Sequence, residues 1–247
     1  MTERTAIVFA PHPDDEVIAC GGIIQRKVAE GFRVFILFST DGSRSHEAVL
    51  GIFSEPSAQE LMEIRRREAI AAAGVLGVAP EFLIFAGVKD TCLAEFQDAY
   101  RDIVRQALTR IGAVDEAYMP HERLELNADH RLTGAVAAEQ LAKLGLAPRI
   151  FRYVVWDAQT EEEFGYRNRL PGDPASGSPD EDRIRIDISG QIERKLAALM
   201  EHRTQVTLFS AQQRRTVLPE GLKARIRSRR YEEFWVESPA GADAASS

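Results

Sequence analysis

TAIVFAPHPDDEVIACGG, residues 5–22, changes periodicity across a proline-stiffened turn. TAIVFA (5–10) is a continuous apolar run rich in β-formers, the pattern of a strand buried on both faces. From Glu16 onward Val17, Ile18, Cys20, Gly21, Ile24 and Val28 share roughly one helical face, and Gly31 is a stop signal. RVFILFST (33–40) repeats the buried-strand pattern. Strand, helix and strand within about 30 residues make a βαβ unit, hence a parallel pair with a right-handed crossover.

The alternation continues outward from this unit. A polar, glycine-containing loop spans 40–57, and a long helix runs from 58 to 77. FLIF (82–85) is a strand, 95–111 a helix, EAYM (116–119) a strand, Arg131 to Leu144 a helix and RIFRYVVW (149–156) a strand. This order predicts an α/β fold, a Rossmann-like three-layer sandwich with a mainly parallel central sheet. QTEEEFGYRNRLPGDPASGSPDEDR (159–183) breaks the rhythm, and a loop of that length is either functional or flexible. RIRIDI (183–188) alternates like an edge strand, GQIERKLAALMEHRTQV (190–206) reads as one helix, and YEEFWV (231–236) as a last strand. The expectation is a single domain over 1–237 with a long loop at 157–182, followed by a disordered tail at 238–247. No internal repeat is present.

The totals exclude several classes. A net charge of −7, from 31 basic and 38 acidic residues, argues against nucleic acid as a partner. No run approaches the roughly 18 apolar residues of a membrane span. The first residues, MTERTAIVFA, are too short before His12 for a secretory signal. Cys20 and Cys92 form no CxxC pair and read as buried thiols in a reducing compartment, so the expected location is cytoplasmic. Homo-oligomerisation is left open.

In open α/β sheets ligands bind beyond the carboxyl ends of the strands. His12 has that address, and the turn through Pro13 lets His12 and Asp15 aim at one point. An imidazole and a carboxylate begin a zinc or iron site. Beyond the fourth strand, PHERLELNADHRLTG (120–134) places Asp129 and His130 at a helix start. His130 would complete a set of two histidines and one carboxylate with positions open to water, the layout of a catalytic site. Each residue also has a structural reading. Asp14, Asp15 and Glu16 suit a helix N-terminus by capping and dipole alone, and Glu16 can bond loop amides. A histidine ending an apolar strand can be a satisfied core residue. Arg65 sits in a run of three arginines that suits a solvated helix face, and Asp90 suits a turn. His46 reads as surface, and His121 as a rim or acid residue. His202 lies beside Leu196, Leu199 and Met200, either as core or as a proton donor or substrate contact. Trp156, Tyr166, Arg167 and Arg169 would either wall a substrate pocket or belong to a surface loop.

His12-Pro13-Asp14-Asp15-Glu16 after a first strand resembles the PIG-L / LmbE-like deacetylases, which remove acetyl groups from N-acetylglucosaminyl conjugates. The resemblance runs over roughly residues 5 to 210. It includes Thr40-Asp41-Gly42, Arg65-Arg66-Arg67-Glu68, Asp90, Asn127-Ala128-Asp129-His130-Arg131, Lys195 and His202-Arg203-Thr204-Gln205. It implies zinc, with ferrous iron or another divalent metal as alternatives, held by His12, Asp15 and His130, with Asp14 as general base. It also implies that Arg65 and Asp90 contact the sugar. Many members carry a histidine where this chain has Asn127; that histidine pairs with the following aspartate, here Asp129, and assists at the oxyanion or leaving group. Asn127 donates a hydrogen bond but transfers no proton, which leaves His202 as a stand-in. The substrate class implied is a small amino-sugar conjugate. The alternatives are the same chemistry on a sugar-linked thiol or other amide conjugate, and a non-catalytic sugar-binding relative. A nucleotide-binding module is disfavoured, because Gly21-Gly22 is not followed by GxGxxG spacing.

Overall fold

A computed structural model describes residues 3–156, Thr160 and 183–237. Apart from Thr160, the expected long loop at 157–182, with Tyr166, Arg167 and Arg169, and the expected tail lie outside the described residues. In chain order the first elements are β1 (Thr5–Ala10), α1 (Asp15–Ala29), β2 (Arg33–Thr40), α2 (Ser45–Leu50) and α3 (Ala58–Leu76). Next come β3 (Leu83–Val88), α4 (Gln97–Ile111), β4 (Glu116–Pro120), α5 (Ala128–Lys143) and β5 (Arg149–Tyr153). Among the described residues there follow β6 (Arg183–Asp187), α6 (Ile192–Glu201), α7 (Arg203–Val206), α8 (Glu220–Ser228) and β7 (Tyr231–Glu237).

One seven-stranded sheet has the order β3-β2-β1-β4-β5-β7-β6. β1 pairs in parallel with β2 (Val8 opposite Ile36) and with β4 (Val8 opposite Tyr118), and β4 pairs in parallel with β5. β7 enters antiparallel between β5 and β6, leaving β6 as the expected edge strand. Every side chain of β1 is buried, and alternate residues feed opposite cores. Ala6, Val8 and Ala10 meet α1, α3 and α6 on one face, while Ile7 and Phe9 meet α4 and α5 on the other. Those two apolar interfaces make the three layers; each fully buried Ile, Phe or Leu contributes about 1.5–3 kcal/mol.

Successive strands run outward from β1 in one direction through β2 to β3, and then in the other through β4 to β5. The strand order therefore reverses between β1 and β4, where an open α/β sheet leaves a crevice at its carboxyl edge. The loops leaving β1 and β4 carry His12 and His130 to that crevice.

Three expectations need correction. The 40–57 loop contains α2, which begins after the glycine turn at 42. The single helix expected at 190–206 is broken at His202, whose φ of −77° and ψ of 58° end α6 and start α7. His46, expected at the surface, is 1% exposed, and its Nε2 lies 3.0 Å from the Thr204 carbonyl. Neither α8 nor the insertion of β7 was expected from the sequence.

Candidate metal centre and active site

Three nitrogen and oxygen donors converge at the crevice. His12 Nδ1 lies 3.2 Å from Asp15 Oδ2 and 3.2 Å from His130 Nε2, and Asp15 Oδ2 lies 3.1 Å from His130 Nε2. The two imidazole rings are 5.2 Å apart, centroid to centroid. Donors bonded tetrahedrally at about 2.0–2.1 Å would be separated by about 3.3–3.4 Å, so this triangle fits one divalent ion. Two ring nitrogens facing each other cannot both carry a hydrogen, and a carboxylate oxygen beside them needs a positive partner. A proton or a cation resolves the arrangement.

Each donor is held by local structure. Asp15 Oδ2 accepts the His12 backbone N–H at 2.9 Å, which closes the turn through Pro13. Asn127 caps α5, its Oδ1 accepting the N–H groups of Asp129 (2.8 Å) and His130 (3.4 Å). That cap spends the Asn127 carbonyl and leaves its amide N–H₂ as the end available at the cavity it lines. His130 Nδ1 lies 3.1 Å from Glu125 Oε1, close but off the hydrogen-bond axis. Glu125 is itself fixed by the backbone N–H groups of Val155 and Trp156, at 2.5 and 3.2 Å. This carboxylate–imidazole pair favours hydrogen on Nδ1 and a lone pair on Nε2. Glu125 is not legible in the sequence as a site residue, because nothing in its spacing from His130 marks it.

On its far side His12 Nε2 approaches Asp90 Oδ1 at 3.3 Å and Asp129 Oδ2 at 3.5 Å. His12, Asp90 and Asp129 form a second group of donors able to approach one cation. Asp90 and Asp129 are both committed elsewhere: Asp90 Oδ2 accepts from Arg44 N at 3.0 Å, and Asp129 Oδ2 from Thr91 N at 2.9 Å. They fit better as acceptors of an Nε2 hydrogen that points Nδ1 into the first triangle.

Asp14 stands beside the triangle but outside it. It adopts φ 128° and ψ −27°, a region non-glycine residues avoid at a cost of about 1–3 kcal/mol. Its side chain makes no capping bond to α1, so the simple N-cap reading fails here. Oδ2 instead accepts from Arg65 Nη2 at 3.1 Å. Among the described residues Oδ1 has no partner, and Asp14 lines the cavity. Arg65 points inward. A capping box of Ser57 and Glu60 starts α3, and two turns later the guanidinium enters the core, 2% exposed. Besides Asp14, Arg65 donates to the carbonyls of Pro13 and of Gly42, the latter at 2.9 Å. Gly42 has φ 63°, and a Cβ there would sit 2.4 Å from Arg65 Nη1. The turn at Gly42 is thus the cradle of the arginine.

Charge dominates the pocket. Burial pulls the His130 ring down, but Asp15 and Glu125 outweigh it and push it up to about 9. Burial likewise opposes the charge on His12, which Asp90, Asp129 and Asp15 hold well above its ordinary value. Burial would raise Asp15, but the two histidines hold it far below the carboxylate range. Asp90 is also lowered, the His12 ring overcoming burial. Asp14 moves the other way: burial pushes it up to about 7, with Arg65 pulling against and the Asp15 charge adding to the rise. Raised imidazoles beside the lowered carboxyls of Asp15 and Asp90 mark a pocket of negative potential, where a cation could replace the protons on the rings.

The cavity, of about 250 Å³, is lined by His12, Asp14, Asp15, Arg65, Asp90, Asn127 and Asp129 on its polar side. Val49, Trp156, Val217 and Leu218 make the other side apolar. His202 is not among the lining residues. It is 0% exposed, and its Nε2 lies 3.0 Å from Glu16 Oε1. His121 is 4% exposed and edge-on to Trp235, so it is not on the rim.

The family model described as PIG-L, GlcNAc-PI de-N-acetylase, matches residues 7–141. A 1D-myo-inositol 2-acetamido-2-deoxy-alpha-D-glucopyranoside deacetylase of Rhodococcus erythropolis is 30% identical over 246 residues, covering 83% of this chain and 82% of its own. A 4-oxalmesaconate hydratase of Pseudomonas putida is 30% identical over 106 residues, 41% of each chain. The N,N'-diacetylchitobiose deacetylase of Pyrococcus horikoshii, solved with its inhibitor MPG, superposes with a TM-score of 0.62 at 24% identity. The match covers 96% of this chain and 84% of that one, and it is a likeness of fold.

Proposed function

The chain belongs to the PIG-L family of GlcNAc-PI de-N-acetylases, and from that premise we propose that it is a zinc-dependent deacetylase of an N-acetylglucosaminyl conjugate. The observation that carries the proposal is the triangle of His12 Nδ1, Asp15 Oδ2 and His130 Nε2, with the unshared carboxylate of Asp14 beside it. Relatives named as deacetylases support the reaction class, amide hydrolysis. Four aspartates against one arginine in the described cavity disfavour an anionic ligand and favour a neutral sugar. The apolar side suits the C–H face of a pyranose or the aglycone attached to it.

A divalent ion held by the three donors would polarise the acetamide carbonyl and lower the pKa of its water to about 7. The remaining work falls to the chain. Asp14, through its open Oδ1, takes the proton from the attacking water. General-base help of this kind contributes typically 10²–10⁴-fold. Arg65 keeps that carboxylate ionised and aimed, and a bound dication would lower its pKa further from the value near 7. The Asn127 amide donates to the developing oxyanion, and protonated Asp14 returns its proton to the departing amine. Asp90 and Asp129 hold the His12 ring, and Asp90 and Arg65 border the sugar. Two unpaired, buried thiols, Cys20 and Cys92, support a reducing, cytoplasmic location. Among the described residues no helix is long and apolar enough to cross a membrane.

The test is acetate release from N-acetylglucosamine, N,N'-diacetylchitobiose, a GlcNAc–inositol and an aryl GlcNAc glycoside. The expected result is turnover of at least one conjugate, abolished by a chelator and restored by zinc. No release from any of them by the zinc-loaded protein, or release indifferent to the chelator, would overturn the proposal.

A further inference from the structure

The third acid of the motif and the buried histidine 186 residues away remain without a role in the chemistry above. Glu16 and His202 are both 0% exposed, and neither lines the cavity. Glu16 uses its two oxygens in opposite directions. Oε2 accepts the backbone N–H of Asp14 at 2.8 Å, and Oε1 meets His202 Nε2 at 3.0 Å. Asp14 is the residue with φ 128°. Its N–H is therefore fixed in a conformation that an aspartate does not adopt unaided.

The histidine reaches this place by a break in the fold. The φ and ψ of His202 stop α6, and the His202 carbonyl accepts from Gln205 N (2.8 Å) and Val206 N (3.1 Å) as α7 begins. The kink turns the ring toward the N-terminus of α1. A proton-donor role has no route to substrate, because Nε2 faces Glu16 and, among the described residues, Nδ1 is buried without a hydrogen-bond partner. A mere dipole role for Glu16 does not explain why its carboxylate turns back to the N–H of Asp14. From the other side, Arg65 grips the Pro13 carbonyl and Asp14 Oδ2. The Pro13–Asp14 segment is clamped between a buried arginine and a buried carboxylate.

We propose that His202 and Glu16 are positioning residues: His202 orients the Glu16 carboxylate, and Glu16 holds the Asp14 backbone so that the Asp14 carboxylate faces the cavity. This rests on the reading of Asp14 as the base. Atoms of Glu16 and His202 take no part in the reaction; they act through Asp14.

Two measurements on the metal-loaded protein test it. The first is a double-mutant cycle of His202→Phe and Asp14→Asn. Displacing a general base by a fraction of an ångström lowers turnover steeply, and about 1 Å can cost 100-fold. In the Asp14-containing protein His202→Phe should lower kcat per bound metal by about 10- to 100-fold, with KM and metal content nearly unchanged. In the Asp14→Asn background it should lower the residual rate by less than about twofold. Equal losses in both backgrounds, or a loss that only tracks bound metal, would overturn the proposal. Glu16→Gln, which keeps an acceptor for the Asp14 N–H, should retain far more activity than Glu16→Ala; equal losses count against it. The second measurement needs no substrate, so it separates this proposal from the deacetylase reading. A crystal structure of His202→Phe, or of the milder His202→Gln if the first does not fold, should show Asp14 relaxed to negative φ. Asp14 unmoved at positive φ would sink the idea.

Discussion

Replacing Arg65 by methionine removes a charge from a pair in which the arginine and aspartate side chains are 2% and 8% exposed. Methionine keeps the unbranched stem of the side chain, so the core around α3 stays filled as far as the position of Nε, and only the guanidinium is lost. Arg65 is the main influence pulling the Asp14 carboxyl down against burial and the neighbouring Asp15 charge. An opposite charge at such range lowers a carboxyl by about 1–3 units, which is about 1.4–4 kcal/mol. The sign follows from the role. A base works only when ionised; without Arg65 its pKa rises, so the acidic limb of kcat/KM against pH should move toward alkaline pH by about 1–3 units. The shift between the two proteins is the quantity to measure, since bound metal displaces both curves together. Folding stability should also fall. Breaking a buried pair typically costs about 3–5 kcal/mol, here less near neutral pH, because Asp14 escapes by taking a proton. The assays are pH–rate profiles and urea unfolding at two pH values. If activity falls at every pH with the limb unmoved, Arg65 does not act on the ionisation of Asp14, and its place in the mechanism is wrong.

Gly42→Ala should destabilise the protein by about 1–3 kcal/mol and lower kcat, since its Cβ meets the guanidinium at 2.4 Å on a residue with φ 63°; an unchanged melting temperature would refute the cradle. Glu125→Ala should weaken zinc binding about 10- to 100-fold in a chelator competition, because His130 loses the carboxylate beside Nδ1; wild-type affinity would show that the pairing is incidental. In the metal-free protein His130 is pushed up to about 9 and His12 is also raised. Protons thus occupy these rings at lower pH and must leave when metal binds. Zinc affinity should climb about tenfold per unit for each proton displaced, from roughly pH 6 to 9, with protons released in calorimetry. Flat affinity over that range would mean that the rings are already neutral.

Much of this arrangement was legible along the chain because it depends on local pattern. The apolar run of β1 and the abrupt turn through Pro13 located the crevice, and the segment from Asn127 to His130 located its opposite wall. What pattern could not supply was partnership between distant segments. His46 and His202 carry polar rings into the core, and only the fold reveals the Thr204 carbonyl and the Glu16 carboxylate that each meet one ring nitrogen. Arg65 was expected at the sugar; it spends donors on the Pro13 and Gly42 carbonyls and on Asp14, and reaches the cavity as one edge of its wall. Asp14 was open to a capping role that its positive φ and its arginine partner remove. β7 enters the sheet between β5 and β6, an order fixed by pairing across about eighty residues of sequence and invisible to periodicity.

The most direct test is the position of the metal in zinc-loaded crystals, read from anomalous scattering at the zinc edge. The account expects one peak about 2.0–2.2 Å from each of His12 Nδ1, Asp15 Oδ2 and His130 Nε2, with Asp14 unbound beside it. A peak on the other face of the His12 ring, between Asp90 and Asp129, would contradict it.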